Sequence, residues 1–134
     1  MRPFFGSIFL FAPMLLATVP AAAGEFYLFS SPAACERWLG MGGTQDALSQ
    51  VSTEDDTLIL QSSSMSGLEY GCFFEPPLDL SVQEPTITTH VGHCQEPGWI
   101  SPGLFTFAVD PVYSREVTLY TGDESTTVFH FCGR

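Results

Sequence analysis

The sequence predicts a mainly β protein: a small antiparallel β-barrel or two-layer sandwich of six or seven strands, with one short helix near the N-terminus. Its 134 residues suit a single domain. From residue 57 onward, short segments rich in β-branched and aromatic residues alternate with Gly, Pro, Asp and Ser, which is typical of antiparallel strands joined by turns. Four cysteines, three in this region and one before it, indicate disulfides.

The N-terminal segment has the layout of a secretory signal peptide. Arg2 gives a positive start, residues 4–19 are almost wholly apolar, and residues 21–23 are alanines at the positions that a signal peptidase reads. The apolar run contains a glycine and a proline and is shorter than the roughly 20 residues that a membrane anchor needs. We therefore expect residues 1–23 to be removed and residues 24–134 to form one disulfide-stabilised domain, periplasmic or secreted, with no membrane span.

The segment before the strand-rich region contains the one predicted helix. Residues 25–31 are aromatic and aliphatic enough to form a strand. Ser31 is a suitable helix cap, Pro32 fits the first helical position, and Gly40 ends the helix. Residues 42–56 are mostly polar and acidic, so they are predicted to be a loop.

The strand-rich region divides at its turn-forming residues. Six segments are predicted strands: 57–62, 67–75, 86–94, 103–110, 115–122 and 125–132. Residues 121–125 (TGDES) predict a hairpin turn. Residues 75–85 and 95–103 contain proline, which has no N–H to donate to a ladder, so both are predicted to be loops.

Side-chain alternation along two of these strands predicts which residues face the core. If Cys72 points inward, then Leu68, Tyr70 and Phe74 share its face, whereas Glu69 and Glu75 point outward. In the last strand Cys132 and the aromatic pair lie on opposite faces. Either both faces are covered there, or the core face carries the aromatic residues, Phe129 and Phe131.

The stretch SSSMSGLEYGC, residues 62–72, is predicted to have two parts. Residues 62–66 form a turn, because serine hydroxyls bond nearby backbone groups. Residues 67–72 form a strand that ends on a cysteine. This arrangement would present Ser64 and Ser66 on a rigid base.

The charge balance excludes several classes of partner. Fifteen acidic residues stand against four arginines and no lysine, which gives a net charge of −11. Such a chain repels the phosphates of nucleic acids and anionic membrane surfaces. Basic proteins and divalent cations remain permitted partners. Lysine and asparagine share A-rich codons, so their joint absence hints at a GC-rich genome and, with the signal peptide, favours a bacterial envelope or secreted protein.

The four cysteines are predicted to form two disulfides, because their number is even and the chain is exported. Three pairings are open, and we favour Cys72–Cys94 between neighbouring strands and Cys35–Cys132 between the two ends of the domain. The alternative is a zinc site with histidine, but structural zinc sites show closely spaced ligand pairs, and these cysteines are far apart.

No residue pattern indicates an enzyme, a metal site or a cofactor. His90 and His93 point to opposite faces of a strand, and His130 lies between two phenylalanines without a visible nucleophile. The acidic stretches 53–56 and 122–124 lack the spaced oxygens of a tight calcium loop, so solvated loops are the preferred interpretation. The serines lack the G-x-S-x-G elbow of a hydrolase.

Trp99 lies in the Pro- and Gly-containing segment EPGWISPG and has two interpretations. An exposed loop tryptophan can anchor a partner. The preferred interpretation is that it folds back over the end of a barrel.

Two resemblances add to this reading. The segments GLEYGC and GHCQEPG, between an early cysteine and a final aromatic strand ending in Cys132, resemble a class of small uncharacterised exported bacterial proteins. That resemblance implies a disulfide-bonded β-domain with no activity attached.

Locally, SMSGLEY is similar to the S-x-S-G-x-x-Y segment of the periplasmic and membrane-bound inhibitors of c-type lysozyme. That resemblance implies a small β-barrel with a disulfide between early and late cysteines, in which the serine loop enters the lysozyme cleft. By the match, the contact residues would be Ser64, Ser66, Gly67 and Tyr70. The family's second contact, a lysine after a tryptophan, has no counterpart here because the chain has no lysine.

The sequence thus predicts an exported, acidic, non-enzymatic binding protein of the bacterial envelope. Its first candidate partner is a basic protein such as a lysozyme. The alternatives are a structural or divalent-cation-binding periplasmic protein and a small hydrolase.

Overall fold

The computed structural model describes residues 25–54, 56–122 and 124–133 and forms one closed antiparallel barrel of eight strands. The predicted signal peptide lies outside the described residues. The strands are β1 Leu28–Phe29, β2 Ile59–Leu60, β3 Ser64–Ser66, β4 Gly71–Glu75, β5 Thr86–Glu96, β6 Trp99–Asp110, β7 Glu116–Tyr120 and β8 Thr126–Phe131; the helices are α1 Pro32–Gly40 and α2 Gln45–Glu54. Each strand pairs with its neighbours in chain order, and β8 closes on β1. The barrel prediction is confirmed, but the number of strands is eight rather than six or seven.

The first correction concerns the serine-rich stretch, which differs from the prediction at residues 64–70, whereas residues 71–72 belong to a strand, as predicted. Ser64–Ser66 is strand β3, and only Ser62 and Ser63 lie in the turn before it. Gly67–Tyr70 is the turn between β3 and β4, closed by a hydrogen bond from the Gly67 N–H to the Tyr70 carbonyl at 2.7 Å. Met65 pairs with Cys72 and is buried beside it, so the core selects this register.

The second correction concerns residues 42–56, predicted to be a loop, because most of them form α2. The Thr44 hydroxyl caps this helix by accepting a hydrogen bond from the Ala47 N–H at 3.2 Å. Leu48 and Val51 lie on its buried face. Helix α1 is as predicted, with Ser31 accepting from the Ala34 N–H and Pro32 as the first residue.

The third correction concerns residues 95–103, which are not a loop. Strands β5 and β6 form one long hairpin whose turn is Pro97–Gly98, and their ladder runs without interruption to the pair Glu96 and Trp99. Pro102 is compatible with this strand because its stretch of β6 pairs with β5 alone among the described residues. The other predicted proline-bearing loop, residues 75–85, is present, with Glu75 as the last residue of β4 and residues 76–85 connecting β4 to β5.

Two hydrophobic clusters lie on either side of the barrel wall. The inner cluster is dominated by phenylalanines and leucines from all around the barrel, and Phe129 and Phe131 belong to it. The outer cluster packs the helices onto β1 and β2 through Phe29, Val51 and Ile59. Both faces are therefore covered near β1, and the aromatic residues of β8 form its core face, which settles the alternative that the sequence left open.

Trp38 of α1 belongs to the outer cluster. Its ring lies 5.5 Å from the rings of Tyr27 and Phe29, and its Nε1–H donates to the Thr44 carbonyl at 3.0 Å. This side chain therefore joins both helices to the barrel wall.

Both predicted disulfides are present. Cys72 and Cys94 are directly opposite each other on β4 and β5. Cys35 on α1 bonds to Cys132, which follows β8. The first crosslinks two neighbouring strands, and the second attaches the helical segment to the end of the barrel wall. None of the helices in the described ranges is long and apolar enough to cross a membrane.

Candidate binding site

The five residues that the sequence nominated for binding fall on two sides of the barrel. Gly67, Tyr70 and Trp99 lie at the end where the β3–β4, β5–β6 and β7–β8 turns meet. Ser64 and Ser66 lie on β3 with outward-facing side chains, because Met65 between them faces the core. The structure therefore separates the serines from the aromatic residues.

The β5–β6 hairpin shapes this end of the barrel because it extends beyond its neighbours. The ladder between β6 and β7 stops at Thr106 opposite Tyr120. Strand β6 begins seven residues earlier, at Trp99. Trp99, Ser101 and Gly103 have the same parity as the buried Phe105, so this stretch of β6 turns one face toward the barrel interior.

A cavity of about 530 Å³ opens at this end and is called the mouth here. Its walls carry Tyr70, Glu96 and Trp99, and part of its floor is the core itself, through Met65 and Phe105. Hydroxyl groups border the side formed by β7 and β8; they belong to Thr121, Ser125 and Thr127. The mouth thus combines apolar side chains with hydroxyl groups and one carboxylate, which together could hold a partner.

Trp99 borders the mouth without closing it, since the side chain is 67% exposed. It stands directly opposite Glu96 across the hairpin. Trp99 therefore does not fold back over the barrel end, which was the preferred interpretation of the sequence.

Tyr70 is half-buried between the mouth and the β3–β4 turn. Its hydroxyl lies 3.3 Å from the Cys94 sulfur, so the Cys72–Cys94 disulfide supports the ring. Burial, and then the negative charge of Glu96, raise the pKa of the Tyr70 phenol above its ordinary value of 10.0. The phenol is therefore neutral and able to donate a hydrogen bond at physiological pH.

The surroundings of the mouth are acidic. A second cavity of about 610 Å³ shares Tyr70 and Glu96 with it and adds the carboxylates of Asp56 and Glu69. None of the described residues that line either cavity is basic. Of the arginines that the structure describes, Arg37 forms an ion pair with Glu54 on the helices, and Arg115 precedes β7 at the opposite end of the barrel.

The serines face a different environment. The Ser64 hydroxyl donates to the Gln61 Oε1 at 3.0 Å, so it is engaged within its own hairpin. Ser66 lines a groove of about 300 Å³ between β3 and α2, together with Gln45, Ser49, Ser52 and Thr53. Sequence analysis missed these helical residues because α2 was predicted to be a loop.

No protein-family model, curated protein or solved structure matches this chain.

Among the residues that the structure describes, the histidines and the remaining acidic residues do not come together as a metal site. His90 is buried between Thr88 and the Pro76 carbonyl, while His93 points outward and stacks on Phe73. The two histidines face opposite sides of β5, as their spacing predicts. Within residues 25–54, 56–122 and 124–133, no three His, Cys, Asp or Glu side chains are placed to hold a metal ion.

Proposed function

We propose that this protein is an exported, non-enzymatic binding protein that holds a basic partner protein at the mouth of its barrel. The observation that carries the proposal is the meeting of Tyr70, Glu96 and Trp99, from two separate hairpins, around one cavity whose described lining has no basic residue. Two disulfides are typical of proteins that work outside the reducing cytosol.

Exposed apolar groups at the same end favour a macromolecular partner. Trp99 is 67% exposed and Leu68, in the β3–β4 turn, is 57% exposed. Tryptophan and tyrosine are enriched among the residues that dominate interface energies. The net charge of −11 would speed the encounter with a basic protein at low ionic strength.

A c-type lysozyme is the first candidate partner. The choice is supported by the resemblance of SMSGLEY to lysozyme inhibitors, which implies a small barrel with a disulfide between early and late cysteines. This chain forms an eight-stranded barrel and has a Cys35–Cys132 bond. Gly67 and Tyr70 of this segment line the cavity that adjoins the mouth, whereas Ser66 lines the groove beside α2. The contact surface proposed here therefore centres on the turn Gly67–Tyr70 rather than on the serines.

The direct test is the lytic activity of a c-type lysozyme incubated with an excess of residues 24–134. We expect inhibition that weakens as salt is added. Trp99→Ala is expected to weaken it roughly tenfold or more, because the side chain is an exposed aromatic anchor. The matched control is Tyr113→Ala, since Tyr113 is 79% exposed but lies in the turn between β6 and β7 at the opposite end.

Two further variants, Ser66→Ala and Ser64→Ala, test whether the serines contact the lysozyme. Loss of inhibition in these variants, with Trp99→Ala unaffected, would move the contact to the outer wall. Full lytic activity at excess protein would exclude lysozyme as the partner. Equal effects of Trp99→Ala and Tyr113→Ala would exclude the mouth as the contact surface.

A further inference from the structure

The stretch of β6 next to the mouth has one unpaired edge. Residues 99–105 pair with β5, and their other side has no ladder partner among the described residues because the β7 ladder ends at Thr106. This unpaired side is called the free edge here. Seven residues are a full strand length, so the free edge is long enough to pair with another strand.

The two faces of the free edge differ in chemistry. Ile100 and Leu104 occupy the alternate positions, and each is more than 60% exposed, but Leu104 also borders the mouth. Trp99, Ser101 and Gly103 face the mouth. A strand added here would place alternate side chains in the mouth and the others beside Ile100 and Leu104, which is how strand addition combines backbone affinity with side-chain specificity.

A second copy of the chain is a poor occupant. Edge-to-edge pairing would bring two chains of charge −11 together. Pro102 lies within the free edge and provides no N–H, and in a symmetric pair that deficit would occur on both strands. Proline on an edge strand is a recognised protection against self-pairing.

A cationic segment is the complementary occupant. Glu96 faces the mouth, and Asp56 and Glu69 line the adjoining cavity, with no basic residue in the described lining of either. We propose that the free edge of β6 binds an extended, lysine- or arginine-bearing segment of a partner protein by β-strand addition. The proposal rests on the proposed function, because it names how the mouth recognises its basic partner.

The test uses hydrogen exchange at single backbone amides, followed by NMR. The probe is an acetylated peptide of about seven residues that alternates lysine and valine, matched in length to a strand. We expect it to slow exchange at those amides of residues 99–105 that face away from β5, and to leave the turn at residues 111–115 unchanged. The same peptide with N-methyl groups on alternate amides has the same charges but cannot complete the ladder, so it should bring no protection.

Matched charge variants separate a specific ion pair from general attraction. Glu96→Gln is expected to weaken peptide binding about two- to fivefold at low salt, which is the range of one exposed ion pair. Glu84→Gln removes the same charge from the loop at the opposite end of the barrel and should leave the affinity unchanged.

Three results with the peptide would overturn the proposal: no slowing along residues 99–105 at saturating peptide, equal binding of the N-methylated peptide, or equal effects of Glu96→Gln and Glu84→Gln. Protection of these amides in the free protein that grows with protein concentration would also overturn it, since the occupant would then be a second copy. Peptide-induced protection without inhibition of lysozyme would remove lysozyme as the partner and leave strand addition standing. Inhibition of lysozyme without such protection would leave the proposed function standing and reject strand addition.

Discussion

Gly92 and Gly103 face each other across the β5–β6 ladder, yet the space around them differs greatly. A Cβ on Gly92 would overlap the Phe73 carbonyl oxygen and approach the Phe74 Cα within 2.9 Å. A Cβ on Gly103 would meet only the ring of Phe105, at 3.9 Å. The close approach of β4 to β5, which the Cys72–Cys94 disulfide crosslinks, thus depends on the missing side chain at one position of the pair.

We therefore expect Gly92→Ala to destabilise the fold by about 3 kcal/mol, at the upper end of overpacking effects. Gly103→Ala is the matched control and should change the free energy of unfolding by less than about 1 kcal/mol, because alanine fits and restricts the unfolded chain. Urea unfolding of the two variants measures both values. Equal destabilisation would show that the strand conformation, rather than the contact with β4, requires glycine.

Ionisation of the Tyr70 phenol, beside the mouth, makes the stability of the fold depend on pH. Its raised pKa means that the folded state holds the proton above pH 10, where the unfolded chain releases it. The stability that this confers is complete below pH 10 and is lost as the pH rises through the folded-state pKa. Glu96→Gln should lower the pKa of Tyr70 without restoring its ordinary value, since burial is the larger cause.

The pKa is measured by NMR titration of the tyrosine ring carbons, with Tyr70→Phe to assign the signal. Glu84→Gln should leave it unchanged, because that carboxylate lies in the loop before β5. An unchanged Tyr70 pKa in Glu96→Gln would show that the two groups do not interact across the mouth.

At the scale of secondary structure, α2 shows what a closer reading of the sequence could have found. Thr44 is a good cap, Asp46 favours the first turn, and Ala47, Leu48 and Val51 have helical spacing. The acidic and polar residues around them concealed this pattern, because a helix that covers a barrel needs only one narrow apolar face.

Removal of the cap tests the contribution of α2. We expect Thr44→Ala to lower the free energy of unfolding by about 1 kcal/mol, because the Ala47 N–H loses its acceptor. The control is Thr53→Ala, in the last turn of the same helix, which should be neutral or slightly stabilising because alanine has the higher helix propensity. Thermal unfolding followed by circular dichroism distinguishes them, and equal shifts would reject the capping role.

The strand β3 was beyond sequence reasoning for a physical reason. Three residues, Ser64–Ser66, give no usable alternation, and a serine-rich stretch has the composition of a turn. Only tertiary contacts choose the register, through Met65 in the core and Cys72 beside it. The longer strands β5, β7 and β8 were predictable because their β-branched and aromatic residues are numerous and turns bound them.

At the scale of the molecule, the barrel has a weak side, where few residues pair between strands, and a strong side, where many do. Strand β1 pairs with each of its neighbours, β2 and β8, through only two residues, whereas β5 and β6 share eleven pairs. The Cys35–Cys132 disulfide crosses the weak side and closes a loop between residues 97 positions apart. The pairing of these cysteines was predictable from their places near the two ends, but the short ladders that they reinforce were not.

The double variant Cys35→Ser/Cys132→Ser should therefore open this side first. The chain-entropy treatment gives a loss of up to about 5 kcal/mol for so long a loop. We expect faster hydrogen exchange in β1, β2 and the two helices, while amides in the ladder of β5 and β6 that face each other keep their protection. Uniform acceleration over the whole barrel would show instead that the fold opens as one cooperative unit.

The candidate binding residues could be predicted one by one, but their arrangement around a cavity could not. Tyr70 and Trp99 could be nominated individually, because aromatic residues near turns are common anchors. Their meeting with Glu96 around one cavity depends on the lengths of β5, β6 and β7, which place Trp99 well beyond the end of β7. That difference in strand length was hidden by the two prolines of residues 95–103, which predicted a loop.

The chain's two tryptophans lie in contrasting environments, so their fluorescence can report on two parts of the protein separately. Trp38 is packed between the helices and the barrel, whereas Trp99 stands exposed at the mouth. A soluble quencher should therefore reduce the emission of Trp99 strongly and that of Trp38 weakly. Single-tryptophan variants, Trp38→Phe and Trp99→Phe, would follow occupancy of the mouth and docking of the helices as separate signals in one unlabelled molecule.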